Sequence, residues 1–312
     1  MSLGTLFTTI FTLALLLLVG IIAGKTRIID EVTSARLSSV TVKIGQPFLL
    51  INAMIGLERT AENIRTGLSV LLLSFVMHAA MAVIAWLLAR GIRNFDERKL
   101  SEFGMIFANC GFIGFPILES LLGEEGLFYG AFYVFGFNVI SWTWGIIILA
   151  RKRPDIRLTP KKILINFGTV PAVIGFVIFL SGLTLPAPFR TLCSYLGSIC
   201  TPLSVLITGA NLARRDLVRI FTSKNVWYVN RVKLLIMPLI LTTLLRLCGL
   251  PDTMILFGAV MSALPSAAVV TMFGEMYGIS PGYAAELVGS SSLLCTLTLI
   301  PVIYYAQFLI AL

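Results

Sequence analysis

The sequence predicts an all-α polytopic membrane protein whose ten transmembrane helices form two inverted repeats of five. Three observations lead to this fold class: the composition, the spacing of long apolar segments and the distribution of Lys and Arg. Of the 312 residues, 57% are hydrophobic and 12% are charged, and the mean hydropathy is +0.95. A soluble domain carries about 25% charged residues. The composition therefore excludes a soluble enzyme, a disordered chain and a secreted disulfide scaffold.

Ten apolar segments are long enough to cross a membrane, since about 20 residues at about 1.5 Å each span about 30 Å of hydrocarbon. Charged clusters and Gly or Pro residues mark their ends. The segments, numbered 1 to 10, are 3–24, 35–56, 66–90, 102–122, 127–149, 161–182, 190–212, 231–249, 252–275 and 282–311. Lys25 and Arg27 follow segment 1 and no basic residue precedes it, which indicates a retained helix and not a cleaved signal peptide.

The basic residues lie mainly on one side of the predicted membrane. Connections after the odd-numbered segments hold 19 Lys and Arg residues, including Lys99 and Lys233, whereas the other side holds four. Basic connections stay in the cytoplasm, so we expect a multi-pass protein of the cell membrane with both termini outside and the 150–160 connection inside. The net charge of +9 is then an orientation signal, and no nucleic-acid partner is expected.

Two halves of five segments each, 1–150 and 161–312, are joined by a short basic connection at 151–160. An odd number of segments per half gives the halves opposite orientations. Pro47 and Pro202 lie 155 residues apart, and Pro116 and Pro265 lie 149 apart. This nearly constant offset supports a 5+5 inverted repeat, an arrangement common in secondary transporters.

Segment 4 contains residues that interrupt a helix inside the membrane. Pro116 cannot donate a hydrogen bond to the carbonyl of Phe112, and Gly111 and Gly114 allow the backbone to unwind. Asn109 lies just before them and supplies a polar side chain at membrane depth. A kink that only serves packing is the alternative explanation.

Segment 9 carries a matching interruption. Pro265 frees the carbonyl of Met261, and Ser262 and Ser266 flank the proline. Unpaired backbone inside a membrane costs several kcal/mol unless it lines a cavity or is buried in protein. Two such breaks that cross near the midplane predict a binding site, where helix N-termini offer N–H groups to an anion and freed carbonyls face a cation or water.

Three stretches of the chain carry a resemblance to a known family: Gly24–Asp30, Pro202–Asn211 and Ala263–Ala267, the last followed by Tyr277 and Gly278. Together and in this order they resemble the auxin efflux carrier family, which holds plant auxin carriers and bacterial malonate-carrier-like proteins. The resemblance extends through nearly the whole chain. It implies a scaffold domain from segments 1, 2, 6 and 7, and a transport domain from segments 3–5 and 8–10. It also implies that segments 4 and 9 cross at their prolines and that an elevator-like motion carries an organic anion.

The resemblance assigns roles to individual residues. The asparagine that meets the substrate carboxylate in the plant carriers falls on Asn109, and a polar amide followed by Trp falls on Asn138 and Trp142. Two positions depart from the pattern of many bacterial relatives. Val269 replaces an asparagine near the crossing, and Asn166-Phe167 replaces an Asn-Pro pair. The first departure removes a polar group, so the resemblance does not specify malonate as the substrate.

Three ionisable residues in the apolar segments are candidates for coupling or for attracting the substrate. His78 lies deep in segment 3, where an ionisable group is a functional candidate, and its titration range suits proton coupling. Lys43 would attract an anion, although snorkelling to the interface also explains it. Glu286 opens segment 10 before a stripe of hydroxyl residues, which also suits helix packing. Glu102 is interpreted as a charge at a helix start.

These patterns predict a secondary transporter of a small organic anion. Asn109 and the half-helix after it would bind the anion, Asn138 and Ser266 would support it, and Pro116 and Pro265 would set the crossing. No nucleotide-binding loop is found and no cofactor is expected, so the membrane potential, protons or sodium would drive transport. The expected partners are the anion, membrane lipid and a second copy through the scaffold. A bile acid:sodium symporter-like carrier, a membrane enzyme and a ligand sensor remain alternatives.

Overall fold

The computed structural model describes residues 3–55, 58–153, 159, 165, 168–214 and 223–312. These residues are helical apart from short connections, and among them a single bridge is the only strand-like pairing. Six helical runs are long and apolar enough to cross a membrane. They are Phe7–Lys25, Ala61–Ala89, Cys110–Ala150, Ala187–Ala213, Lys224–Leu247 and Pro281–Ala311. The prediction of an all-helical fold is confirmed.

The first half of the chain contains seven helices. They are α1 (Leu3–Lys25), α2 (Glu31–Val40), α3 (Gln46–Ile55), α4 (Ala61–Ala89), α5 (Phe95–Ile106), α6 (Phe115–Ile140) and α7 (Ile146–Ala150). Turns of π-helix at Thr41–Gly45 and Ser141–Gly145 continue α2 into α3 and α6 into α7, and a third at Cys110–Gly114 precedes α6.

The second half contains eight described helices. They are α8 (Thr169–Ser181), α9 (Ala187–Ser198), α10 (Cys200–Ala213), α11 (Lys224–Arg231), α12 (Met237–Leu247), α13 (Asp252–Ala263), α14 (Val269–Met276) and α15 (Pro281–Ala311). A π-turn at Val232–Ile236 joins α11 to α12. The predicted start of segment 6, with Asn166-Phe167, and most of the 151–160 connection lie outside the described residues.

Several helices begin four to seven residues before the predicted segments, because a polar capping residue precedes the apolar stretch. Side-chain oxygens of Asp30, Thr60, Asn94 and Ser223 accept hydrogen bonds from N–H groups of the first turn. The bond from the Thr33 N–H to Asp30 is 2.7 Å long and lowers the pKa of the Asp30 carboxyl. Hydropathy alone locates the apolar part of each helix and misses these polar first turns.

Gly123 separates predicted segments 4 and 5. Its φ of 61° lies in the left-handed region, and no neighbouring atom lies within 4 Å of a Cβ built on it. The helical run of α6 therefore changes direction at this residue, between the arm at 115–122 and the arm at 124–140.

The helices pack in two groups that meet at the interruptions of segments 4 and 9. In one group, α1 lies so close to α10 that a Cβ on Gly209 would be 2.3 Å from the Leu17 carbonyl oxygen. In the same group α3 packs against α8 and α9. In the other group α4 packs against α5 and α6, and α13 packs against α12 and α15.

Candidate functional site

Segments 4 and 9 lose their helical backbone where they lie against each other. An antiparallel bridge joins them between α5 and α6 on one side and between α13 and α14 on the other. The N–H of Asn109 donates to the Pro265 carbonyl at 2.8 Å, and the N–H of Ala267 donates to the Phe107 carbonyl at 2.9 Å. The pairing satisfies backbone groups that the interruption of each helix leaves without intrahelical partners. We call residues 107–109 the first break and residues 264–268 the second break.

The polar groups around the second break are bonded to the protein. The Ser266 hydroxyl donates to the Gly104 carbonyl at 3.0 Å, and the Ser266 N–H donates to the Ser291 hydroxyl at 3.2 Å. The ammonium of Lys233 donates to the Ser262 carbonyl at 3.2 Å. Ser262 and Ser266 are fully buried. This break is thus held by α5, α15 and the π-turn of segment 8, and the hydroxyls of both serines are bonded within the protein.

The first break leaves one polar group available. The Asn109 carbonyl accepts from the N–H groups of Ile113 and Gly114, but its side-chain amide makes no hydrogen bond to any residue that the structure describes. Asn109 is 5% exposed and lines a cavity. Beside it, a Cβ on Gly111 would meet no atom within 4 Å. The amide of Asn109 therefore presents both a donor and an acceptor to the cavity.

The cavity has a volume of about 780 Å³, within the range of small-molecule sites. Its walls come from both groups of helices and from both breaks. The polar lining includes Ser34, Ser38, Lys43, Gln46, Asn109, Asn138, Ser204, Thr208, Asn211, Thr271 and Glu275. A chamber that is bounded by two helix groups changes shape when one group moves relative to the other.

Of the predicted substrate-binding residues, the cavity brings together Asn109, Gly111 and Asn138. The other five lie outside its lining: Gly114, Pro116, Ser262, Pro265 and Ser266. The Asn138 side chain is fully buried. It donates to the Val134 carbonyl at 2.8 Å and accepts from Gln46 of α3 at 3.1 Å. Asn138 therefore links α6 to α3, and Asn109 keeps the unused amide.

The prediction that both prolines mark the crossing is wrong for Pro116. Pro265 lies inside the second break, whereas Pro116 lies in the first turn of α6, beyond the π-turn that follows the first break. Pro116 does free the Phe112 carbonyl, as its missing N–H requires. The hydroxyl of Thr201, at the start of α10, donates to that carbonyl at 3.0 Å. The proline thus provides a contact between the two groups of helices.

The three coupling candidates lie in different surroundings. His78 is buried, its Nδ1 lies 2.7 Å from the Ser74 carbonyl, and its ring lies among those of Phe107, Tyr133 and Phe137. Lys43 is on the cavity wall. Glu286 is buried on α15 and does not line the cavity. Farther along α15, the Ser291 hydroxyl accepts from the Ser266 N–H of the second break.

Two lysines that the charge count assigns to cytoplasmic connections are buried inside helices. Lys233 is fully buried in the π-turn of segment 8, and Lys99 is 1% exposed within α5. Glu102 is also inside α5 and not at its start, and it pairs with Arg151. The sequence signals for this burial are the capping residues Ser223 and Asn94. The helix that begins after Ser223 leads into the turn with Lys233, and the helix that begins after Asn94 contains Lys99 and Glu102.

Comparison with protein families decides which family the chain belongs to. A family described as "Membrane transport protein" matches residues 5–304 of the 312. The chain belongs to this auxin efflux carrier family. The resemblance seen in the sequence is confirmed, and the chain is a membrane transport protein.

Individual relatives of this family member are distant but similar over most of their length. An uncharacterized transporter of Methanocaldococcus jannaschii is 23% identical over 302 residues, covering 90% of this chain and 91% of the relative. An uncharacterized transporter of Methanothermobacter thermautotrophicus is 23% identical, covering 86% and 88%. A putative malonate transporter of Rhizobium meliloti is 23% identical over 239 residues, covering 74% and 73%.

Proposed function

We propose that this member of the auxin efflux carrier family is a secondary transporter of a small organic anion, a carboxylate, that binds in the cavity at the first break. The observation that carries the proposal is the Asn109 amide, which is nearly buried, lines the cavity and has no hydrogen-bond partner among the described residues. A buried polar group without a partner is costly, and a carboxylate oxygen would accept from its NH2 group.

The field at the site favours an anion over a cation. The helical run that begins at Cys110 points its N-terminus at the cavity, and α14 begins at the same crossing. Helix N-termini carry a partial positive charge and attract anions. Of the charged side chains in the cavity lining, Lys43 is positive and Glu275 is negative, so the helix N-termini carry the preference for an anion. Gly111 leaves space for a ligand to approach the first turn closely.

The substrate class also draws on a relative. The similar protein from Rhizobium meliloti is named a putative malonate transporter, and malonate is a small dicarboxylate. The cavity of about 780 Å³ accepts a molecule of that size and larger carboxylates. Val269 places an apolar side chain on the wall, and a carboxylate with an apolar part would fit beside it.

The proposed architecture has ten crossings in two inverted halves, residues 1–150 and 161–312. Apolar side chains exposed on α1, α4 and α8, such as Phe11, Leu72 and Val177, would face lipid. The scaffold would comprise segments 1, 2, 6 and 7, with a second copy bound through it. Segments 3–5 and 8–10 would form the moving domain. Both termini would lie outside, and the 150–160 connection would lie in the cytoplasm.

An elevator-type motion suits a cavity between the two groups of helices. In the proposed topology, the cavity-lining residues lie from the middle to the cytoplasmic ends of their helices, so this conformation would face inward. The hydrogen bond from Thr201 to the Phe112 carbonyl connects scaffold and moving domain. It would break each time the moving domain shifts.

Coupling is proposed to protons or to the membrane potential. His78 is the single histidine and lies beside the first break, where its ring packs on Phe107. In a proton-coupled carrier, His78→Gln should abolish the stimulation of uptake by an inward proton gradient. If that stimulation survives at the wild-type level, His78 serves packing only.

Uptake into liposomes that contain the purified protein tests the proposed function. We expect saturable uptake of at least one labelled carboxylate from a panel of malonate, other short dicarboxylates and indole-3-acetate. The dimethyl ester of malonate, which has no charge, should not compete. A protein that takes up none of the panel above the level of protein-free liposomes, or that is inhibited equally by the neutral ester, would contradict the proposal.

A further inference from the structure

A positive charge is buried behind the second break, outside the cavity. Lys233 is 0% exposed, and its ammonium donates to the carbonyl of Ser262 at 3.2 Å. Ser262 lies in the last turn of α13, where helix carbonyls lack intrahelical partners and the dipole is negative. The lysine thus takes the position that a cation would take at the end of this half-helix.

No carboxylate of the described residues lies within ion-pair distance of Lys233. The thiols of Cys110 and Cys295 and the imidazole of His78 are buried in the same region. None of these three side chains is a carboxylate. A buried ammonium is unfavourable unless a charge or several hydrogen bonds compensate it. Among the described residues, the Lys233 ammonium donates one hydrogen bond, to the carbonyl end of α13.

Lys99 is the other buried lysine among the described residues, and neighbouring groups compensate the charge of its ammonium. Lys99 is 1% exposed, and its ammonium lies 2.8 Å from the Asp96 carboxylate. It also donates to the carbonyls of Leu149 and Arg151 at 3.3 and 3.4 Å. Lys99 has a full countercharge, whereas Lys233 has none among the residues that the structure describes.

We propose that Lys233 is a tethered cation of the transport site, whose ammonium balances the charge of the organic anion bound at the first break. The inference rests on the proposed function. The two breaks are paired through the backbone, so Lys233, which is bonded to the last turn of α13, and an anion at Asn109 would lie at one crossing. Lys233 acts through its field and does not touch the substrate. Because the chain carries its own cation, binding of the anion needs no dissolved sodium.

The test uses the dependence of affinity on substrate charge. For a separation of about 10 Å between the ammonium and the bound carboxylate, and an effective permittivity of about 20, one unit charge changes the affinity roughly tenfold. For Lys233→Met we expect KM to rise roughly tenfold for a monocarboxylate and roughly hundredfold for malonate as the dianion. The wild-type KM should be equal in sodium and in choline buffers. Lys99→Met, the matched control, should change KM equally for both substrates or not at all.

A second variant neutralises the charge without removing the lysine. The Cys295 thiol donates to the Ala263 carbonyl at 3.6 Å, next to the Ser262 carbonyl that Lys233 binds. Cys295→Asp therefore supplies a carboxylate near Lys233 and should raise KM with the same dependence on substrate charge. Cys295→Asn is the isosteric control and should not show that dependence. This pair remains informative if Lys233→Met does not fold.

The outcomes separate this inference from the proposed function. Wild-type uptake that is lost in Asn109→Ala, with an unchanged or charge-independent KM in Lys233→Met and Cys295→Asp, overturns the role of Lys233 and leaves the transporter intact. Wild-type transport that requires sodium also overturns it. A wild-type protein that takes up none of the anions overturns both.

Discussion

The two breaks support each other through paired backbone, but they use their side chains differently. At the second break, Ser266 bonds to Gly104 and Ser291, and Lys233 caps the carbonyl end of α13. At the first break, the Asn109 amide faces a cavity without a partner among the described residues. The side chains at the second break are bonded within the protein, whereas the Asn109 amide at the first break is available to a ligand.

The difference shows that an interrupted membrane helix is not by itself a binding site. The pairing satisfies two N–H groups and two carbonyls, so part of the cost of interruption is met without a ligand. The first break differs from the second by the Asn109 side chain and by the open space beside Gly111. We expect the second break, which is bonded to the first through the backbone, to support it.

Substitutions at Gly104 and Gly111 should give the largest difference between the second break, which we expect to support the site, and the first break, which we expect to bind the anion. A Cβ on Gly104 would lie 2.8 Å from Leu287 and 3.1 Å from the Ser266 hydroxyl, whereas a Cβ on Gly111 would meet nothing within 4 Å. We expect Gly104→Ala to destabilise the protein by about 1–3 kcal/mol through overpacking. Gly111→Ala should change stability by less than about 0.5 kcal/mol and should raise the KM for uptake by filling part of the cavity.

Thermal unfolding of both variants in detergent, followed by tryptophan fluorescence, measures the stability difference. Equal melting temperatures for Gly104→Ala and Gly111→Ala would show that the second break is no more tightly packed than the first.

Thr201 offers a smaller test, at the contact between α10 and the π-turn that follows the first break. Thr201→Val removes the donor to the Phe112 carbonyl and should lower stability by about 1 kcal/mol. Thr201→Ser keeps the hydroxyl and is the matched control. The melting temperature should fall for the valine variant more than for the serine variant. A larger fall in the serine variant would mean that the methyl group, and not the hydrogen bond, stabilises the contact.

Much of the helical layout follows from the sequence. Apolar length and charged clusters locate the helices, and the missing N–H of Pro265 correctly places the second break. The helix starts are missed because Asp30, Thr60, Asn94 and Ser223 lie in polar first turns that hydropathy does not register. A search for capping residues before each apolar segment would have found them.

The crossing itself required the tertiary structure. The first break contains no proline, and Phe107, Ala108 and Asn109 leave the helix because they pair with another segment. Pro116 does not mark the crossing, because the Phe112 carbonyl that it frees lies in a π-turn and accepts a hydrogen bond from Thr201. Likewise, the charge pattern places Lys233 in a cytoplasmic connection. The structure shows that the helical run containing it begins at residue 224.

The central claim is that the first break binds the anion and the second break supports it. Uptake kinetics and melting temperatures of Asn109→Ala and Ser266→Ala, measured side by side, test it most directly. We expect Asn109→Ala to raise KM roughly 10- to 100-fold, the worth of a hydrogen bond to a charged group, with an unchanged melting temperature. Ser266→Ala should lower the melting temperature and leave KM within about twofold, since its lost bond is internal to the protein. A wild-type KM in Asn109→Ala, or a KM raised tenfold in a fully stable Ser266→Ala, would contradict the account.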